Sequence, residues 1–376
     1  MIITHAGSVP DSLTINQNSQ AFSPTIHLTS TGDESITINT TVYASYVQIH
    51  ETDNQLTTVK IKGVDCSLAS DSSFNGLLVG EVATDVGASI PLGTTVASSL
   101  TTIDASGTTG SFNVVSGLTQ NGVSYTGLAI YGGTGGDYIT NYADNGSIVA
   151  GATTSGANTL TLYGNNASLN DSASTMPDTI NLNGLGESAT LGSGADIVGI
   201  QGNGDSLTQA TGPSTGTTSV AISGNGDSVS LGSGTASISF IDENLLFNTA
   251  GTATVTLGSG SYTINDGNTL NCTSNGGMLT INGTVSHCKL GYMGFYGVGT
   301  ASELGPASSI TGAQSLDQAI NQFVTPNGNG QLVWFQYGGD TYIENSTNAY
   351  STSIVVKITG IVDLSHAPIA NGSIYL

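Results

Sequence analysis

Glycines and acids at fixed spacing are the residues best placed to do chemistry in this chain. Residues 132–140 read Gly-Gly-Thr-Gly-Gly-Asp-Tyr-Ile-Thr, a G-G-x-G-x-D-x-U-x pattern in which U is a large apolar residue. Gly132, Gly133 and Gly135 let the backbone turn with its carbonyl oxygens inward, Asp137 adds a carboxylate, and Ile139 anchors the following strand. Carbonyls and carboxylates from two adjacent turns make an all-oxygen cage, which suits Ca²⁺. Three weaker copies follow, in which Asp196, Asp205 and Asp227 each open an Asp-x-apolar triplet. The candidate metal ligands are therefore Gly133, Gly135, Asp137, Asp196, Asp205 and Asp227. The same aspartates have a structural use as well: capping their own turns by accepting backbone N–H groups.

Little else in the chain points to catalysis. The five histidines, His5, His27, His50, His287 and His366, are scattered, and none makes an HxxxH or His-Cys pair. The stretch His-Glu-Thr-Asp at 50–53 reads as a solvated turn. No G-x-S-x-G elbow lies between a strand and a helix. A polysaccharide lyase on a β-helix needs cations to stabilise a developing anion. This chain has four lysines (Lys60, Lys62, Lys289, Lys357) and no arginine. The expectation is that it is not an enzyme, with a β-helix carbohydrate-active enzyme as the third-ranked reading.

The elements that must position these turns are strands. Short runs alternate apolar residues with Thr or Ser, as at 35–42, 159–164, 218–223 and 236–241, and Gly or Asn punctuates them. Turn segments recur at 164 (GNNASL), 184 (GLGESA), 202 (GNGDSL) and 224 (GNGDSV), with a second turn, LGSG, at 191, 231 and 257. A more distant pair is LTTVKIKG at 56–63 and LTTIDASG at 100–107. One coil cannot bury its own apolar row, so such repeats stack. The expected fold is all-β: a parallel β-solenoid of β-roll or β-helix type with a small α+β C-terminal domain. The expected domains are 1–99 (an N-terminal β domain or early coils), 100–290 (the Gly/Asp-rich repeats) and 291–376. In the last, Leu316, Ile320 and Phe323 mark one face of a helix within 311–328, and Ser315 with Gln318 suggests a capping box.

Charge excludes several partners. The net charge is −22, with only 8% of residues charged. Nucleic acid needs Lys or Arg in number, and anionic surfaces repel such a chain. No apolar stretch reaches membrane-spanning length, so membrane insertion is not expected. The N-terminal MIITHAGSVPDSLTI lacks the basic and apolar regions of a secretory signal. Of three cysteines, Cys272 and Cys288 are either bridged across a hairpin or two buried thiols, with Cys66 left over.

The nonapeptide at 132–140 and its weaker copies resemble the RTX family of calcium-binding β-roll proteins. The chain departs from that family in having no uninterrupted tandem of complete repeats, and Glu187 stands where one Asp would be. Residues 315–365, with SLDQAINQF, GQLVWFQYGGDTYIENS and TSIVVKITGIVDLS, look like the terminal domain of bacterial surface-layer and related RTX-type proteins exported by type I secretion. TTIDASGTTGSFNVV at 101–115 is similar to their repeat region. The resemblance implies an extracellular protein of the bacterial cell surface, with its export information at the C-terminus and Ca²⁺ as cofactor. It implies self-association into a layer or filament. The alternative reading is a carbohydrate-binding adhesin or biofilm matrix protein, with surface polysaccharide as its partner.

Overall fold

The structure is a computed structural model. It describes residues 2–17, 25–40, 46–51, 56–63, 78–79, 100–116, 126–153, 155–209, 216–232, 235–240, 252–257, 261–266, 278–283, 288–291, 304–323, 331–347, 352–370 and 373–376. The chain forms two compact units, Met1–Asp196 and Ile197–Leu376.

In the first unit the chain climbs through two parallel sheets. One sheet stacks Ile2–Gln17, Thr25–Thr40, Thr58–Gly63, Thr102–Thr108, Ala129–Tyr131, Ser147–Val149, Ser168–Asn170 and Ser188–Leu191, each parallel to the next. The other stacks Asn113–Ser116, Tyr138–Asn141, Thr159–Leu162 and Thr179–Leu182. From Thr102 onward the strands alternate between the sheets, so each coil contributes one strand to each. The distant sequence repeat is explained directly: Val59 of LTTVKIKG lies opposite Ile103 of LTTIDASG.

Identical registers align the apolar residues into columns. Ile36, Val59, Ile103, Ile130, Ile148, Leu169 and Ala189 are successive partners in one column, and all are buried. Val114, Ile139, Leu160 and Ile180 form the facing column. Burying these side chains drives the stacking, because alternate residues of a strand share one face. Asn141 occupies a position that Leu162 and Leu182 fill in the next coils. Its amide donates to the carbonyls of Leu128 and Ser147, and its Oδ1 accepts from Ala143 N–H, so this buried polar group is satisfied.

The second unit repeats the plan. Ser206–Gln209, Asp227–Leu231, Thr252–Leu257 and Met278–Gly283 stack in parallel. Ile197–Asn203, Thr217–Asn225, Thr235–Phe240, Ser261–Asp266 and Cys288–Gly291 do the same. Strand direction then reverses. Thr352–Ile358 lies parallel to Met278–Gly283 but antiparallel to Asp340–Thr347, which hairpins with Gln331–Tyr337 through Gly338-Gly339. Both glycines have positive φ, as a tight two-residue hairpin loop requires.

The helix is shorter than its sequence signal, covering Leu316–Asn321. Ser315 caps it by accepting from Gln318 N–H, while the Gln318 side chain accepts from Gln314 N–H, one residue before the cap. Leu316, Ile320 and Phe323 pack against Ala319, Phe335, Tyr342 and Val355. Cys288 is a free, buried thiol, and burial pushes its pKa up to about 12. Cys66 and Cys272 lie outside the described residues.

Candidate metal centre

The recurring Gly-x-Gly-acid unit is first a matter of backbone geometry. Asn145, Asn166, Gly186, Gly204 and Gly226 occupy the same place in successive sequence repeats, and their φ values are 53, 55, 68, 77 and 79°. That left-handed conformation favours Gly and Asn over other residues. The following position is Gly146, Ala167, Glu187, Asp205 and Asp227 in turn. The turn therefore survives without the acid. Where the acid is present it is buried. Glu187 accepts from Gly184 N–H, and Asp227 accepts from Asp205 N–H of the preceding coil. Burial raises the Asp227 pKa.

A second column of acids runs along the opposite turn of the first unit. Each member accepts a backbone N–H from the coil before it: Phe112 N–H donates to Asp137, Asp137 N–H to Asn158, Asn158 N–H to Asp178, and Asp178 N–H to Asp196. The other Asp137 oxygen accepts from Gly133 N–H at 2.8 Å. Both oxygens of Asp137 thus do the work of a turn cap. Gly133 and Gly135 serve close coil approach, since a Cβ on either would lie within 2.5 Å of Thr108 or Gly110 atoms in the coil below. Burial pushes the Asp137 carboxyl up to about 6, against the lowering effect of the Phe112 and Gly133 N–H groups.

The column's last two aspartates meet a third. Asp171, Asp178 and Asp196 each bring one carboxylate oxygen to within 4.8 Å of the others, and all three are buried. Asp171 comes from the end of the strand Ser168–Asn170, where the neighbouring coils place Ala150 and Leu191. Asn158 Nδ2 donates to Asp171 Oδ1, and Ser174 Oγ donates to Asp178 Oδ2. Asp171 Oδ2 and Asp196 Oδ2 are buried with no hydrogen-bond partner. Burial raises the pKa of Asp171, and the charge of Asp178 raises it further. Burial pushes Asp196 up to about 6. Two unit charges no more than 4.8 Å apart repel by at least about 3 kcal/mol at an effective dielectric of about 20. Such a cluster holds its charge only with protons or a cation.

Of the six expected ligands, the structure brings Asp196 alone into this cluster. Asp137 lies in the same hydrogen-bonded column, Asp205 and Asp227 are joined by a bond in the second unit, and Gly133 and Gly135 line the coil contact. Sequence reading missed Asp171 and Asp178. Asp178 was detectable, because Asp178-Thr-Ile repeats the Asp137-Tyr-Ile pattern at coil spacing. No local signal marks Asp171.

No family model matches this chain, and no curated protein matches it. The fold and the buried acids define its class on their own: a two-sheet parallel β-solenoid whose turns carry inward carboxylates.

Proposed function

We propose that the protein is a structural, non-catalytic protein of the bacterial cell surface that self-assembles into a layer or filament, with Ca²⁺ ordering its β-coils. The observation that supports this most is where the repeating acids go. They are spent on bonds between coils, inside the stack, rather than presented to a substrate in a cleft. Stacked coils of this kind are held by repeated contacts between neighbours, as suits a scaffold. The resemblance of residues 315–365 to surface-layer and type I-exported proteins supports a cell-surface location and that export route. Negative-stain imaging of purified protein, with and without CaCl₂ and EDTA, tests the assembly. Ordered sheets or fibres that dissolve in EDTA are expected, and a monomer under every condition overturns the reading. Deleting residues 291–376 is expected to stop export.

A second reading, a carbohydrate-binding adhesin, has its own observation. Tyr142 and Tyr163 stack with ring centroids 4.4 Å apart and planes 3° from parallel, and Tyr131, Tyr138 and Tyr163 are exposed. Exposed aromatic rings suit sugar faces. However, Tyr131 and Tyr138 lie on strands of different sheets. Binding of surface polysaccharide by monomeric protein, lost in Tyr163→Ala, would favour this alternative.

A further inference from the structure

Inside the first unit, Asp178 and Asp196 of the turn column meet Asp171, a residue that the glycine-turn pattern at 132–140 does not supply. We infer that Asp171, Asp178 and Asp196 bind one divalent cation, Ca²⁺ in preference to Mg²⁺, in the interior of the coil stack. The inference deepens the Ca²⁺ part of the proposed function and rests on that reading only for its biological role.

Three observations carry it. The donor set is entirely oxygen and anionic, which selects a hard cation. The carboxylate oxygens lie within 4.8 Å of one another. Mg²⁺ dehydrates reluctantly and keeps several waters, so a buried site formed by protein carboxylates suits Ca²⁺ better. Finally, Asp171 Oδ2 and Asp196 Oδ2 are buried without a partner. Buried polar atoms are nearly always satisfied, so two orphaned oxygens in one cluster point to a missing positive group. Among the described residues no cationic group is among those that act on Asp171 or Asp196.

The position of Asp171 strengthens the argument. Its column holds Ala150 in the coil before and Leu191 in the coil after, both buried. An apolar residue is what the stack accepts there, so a carboxylate costs stability unless something binds it. The cluster is also well held. The Asp178 N–H fixes Asp196, the Asn158 N–H and Ser174 hydroxyl fix Asp178, and the Asn158 amide fixes Asp171. At Gly194, the Met176 carbonyl oxygen and Asp196 Oδ1 lie 1.8 and 2.9 Å from where a Cβ would stand, so only Gly lets them approach.

The test uses the full-length chain, stripped with EDTA, diluted below the onset of light scattering, and titrated calorimetrically with CaCl₂ and separately with MgCl₂. Asp171→Leu is the decisive variant, because the adjacent coil already carries Leu191 at the matching position. It is expected to bind one Ca²⁺ fewer than wild type and to melt at a higher temperature in EDTA. Asp178→Asn and Asp196→Asn are expected to weaken the same site roughly tenfold or more, because Ca²⁺ affinity follows ligand charge. Unchanged Ca²⁺ stoichiometry and affinity in folded Asp171→Leu overturns the proposal. So does a wild-type protein that takes up no Ca²⁺ but gains stability on acidification, which would mean that protons alone neutralise the cluster. Scattering is followed in parallel at high protein concentration. Loss of one ion in Asp171→Leu, with assembly indifferent to EDTA, supports the site and removes Ca²⁺ only from the assembly.

Discussion

At the scale of single residues, Asp137 shows how one side chain answers two demands. Its oxygens cap Phe112 and Gly133 N–H groups, yet it is buried and its pKa is pushed up to about 6. The native state therefore holds this proton more tightly than the unfolded chain does. The associated stability is complete below the unfolded value of 3.8 and is lost as pH rises through about 6. The swing is about 3 kcal/mol at most, at 1.36 kcal/mol per pH unit. In EDTA, urea midpoints of wild type should fall between pH 4 and 7. In Asp137→Asn that fall should shrink by about the same amount, and parallel pH profiles for the two proteins would refute the assignment. Glycines separate as cleanly. A Cβ on Gly224 would sit 1.6 Å from the Gly202 carbonyl oxygen, whereas one on Gly204 meets nothing within 4 Å. Gly224→Ala should cost about 3 kcal/mol through forced overpacking, and Gly204→Ala about 1 kcal/mol through left-handed strain. Chemical denaturation of the two variants measures both. The turns were legible in the sequence because Gly and Asn at positive φ leave a periodic mark. Asp171 was not, because only the register between coils reveals that it replaces an apolar residue.

At the scale of elements, the unit of stability is the column rather than the strand. A strand of three or four residues such as Ser147–Val149 has no stability alone. It is held because Ile148 lies between Ile130 and Leu169. Ile148→Ala should destabilise by about 2–5 kcal/mol. In a stack where each coil touches only its neighbours, the damage should be local. Hydrogen exchange should quicken first at Ala129–Tyr131 and Ser168–Asn170, ahead of coils further along. Uniform loss of protection would mean that the coils fold as one block. The alternation of apolar residues with Thr and Ser made these strands readable in advance, and the shared spacing made their stacking readable. The reversal of direction at Thr352–Ile358 was not, because an alternating pattern is the same for parallel and antiparallel pairing. The helix shortened to Leu316–Asn321 because its apolar face, Leu316, Ile320 and Phe323, is only two turns long.

At the scale of the whole molecule, charge opposes association. Each copy carries a net charge of −22, and any lattice brings such copies together. At about 0.15 M salt the Debye length is about 8 Å, so monovalent salt weakens distant repulsion but not repulsion within a contact. If assembly uses Ca²⁺, raising NaCl alone should not replace it, while pH near 4 should do so in part, as exposed carboxylates begin to protonate. Light scattering across CaCl₂, NaCl and pH decides this, and assembly by NaCl alone in EDTA would discard the calcium requirement. One feature of the second unit also makes its opening measurable. Cys288 is shielded within its stack, and its thiolate, the form that reacts with alkylating agents, is suppressed by a pKa of about 12. Its modification must wait for the coil around it to part. The rate at which a peptide containing Cys288 gains an alkyl label thus becomes a clock for how often that end of the solenoid unwinds, whether the protein stands alone or packed among its copies.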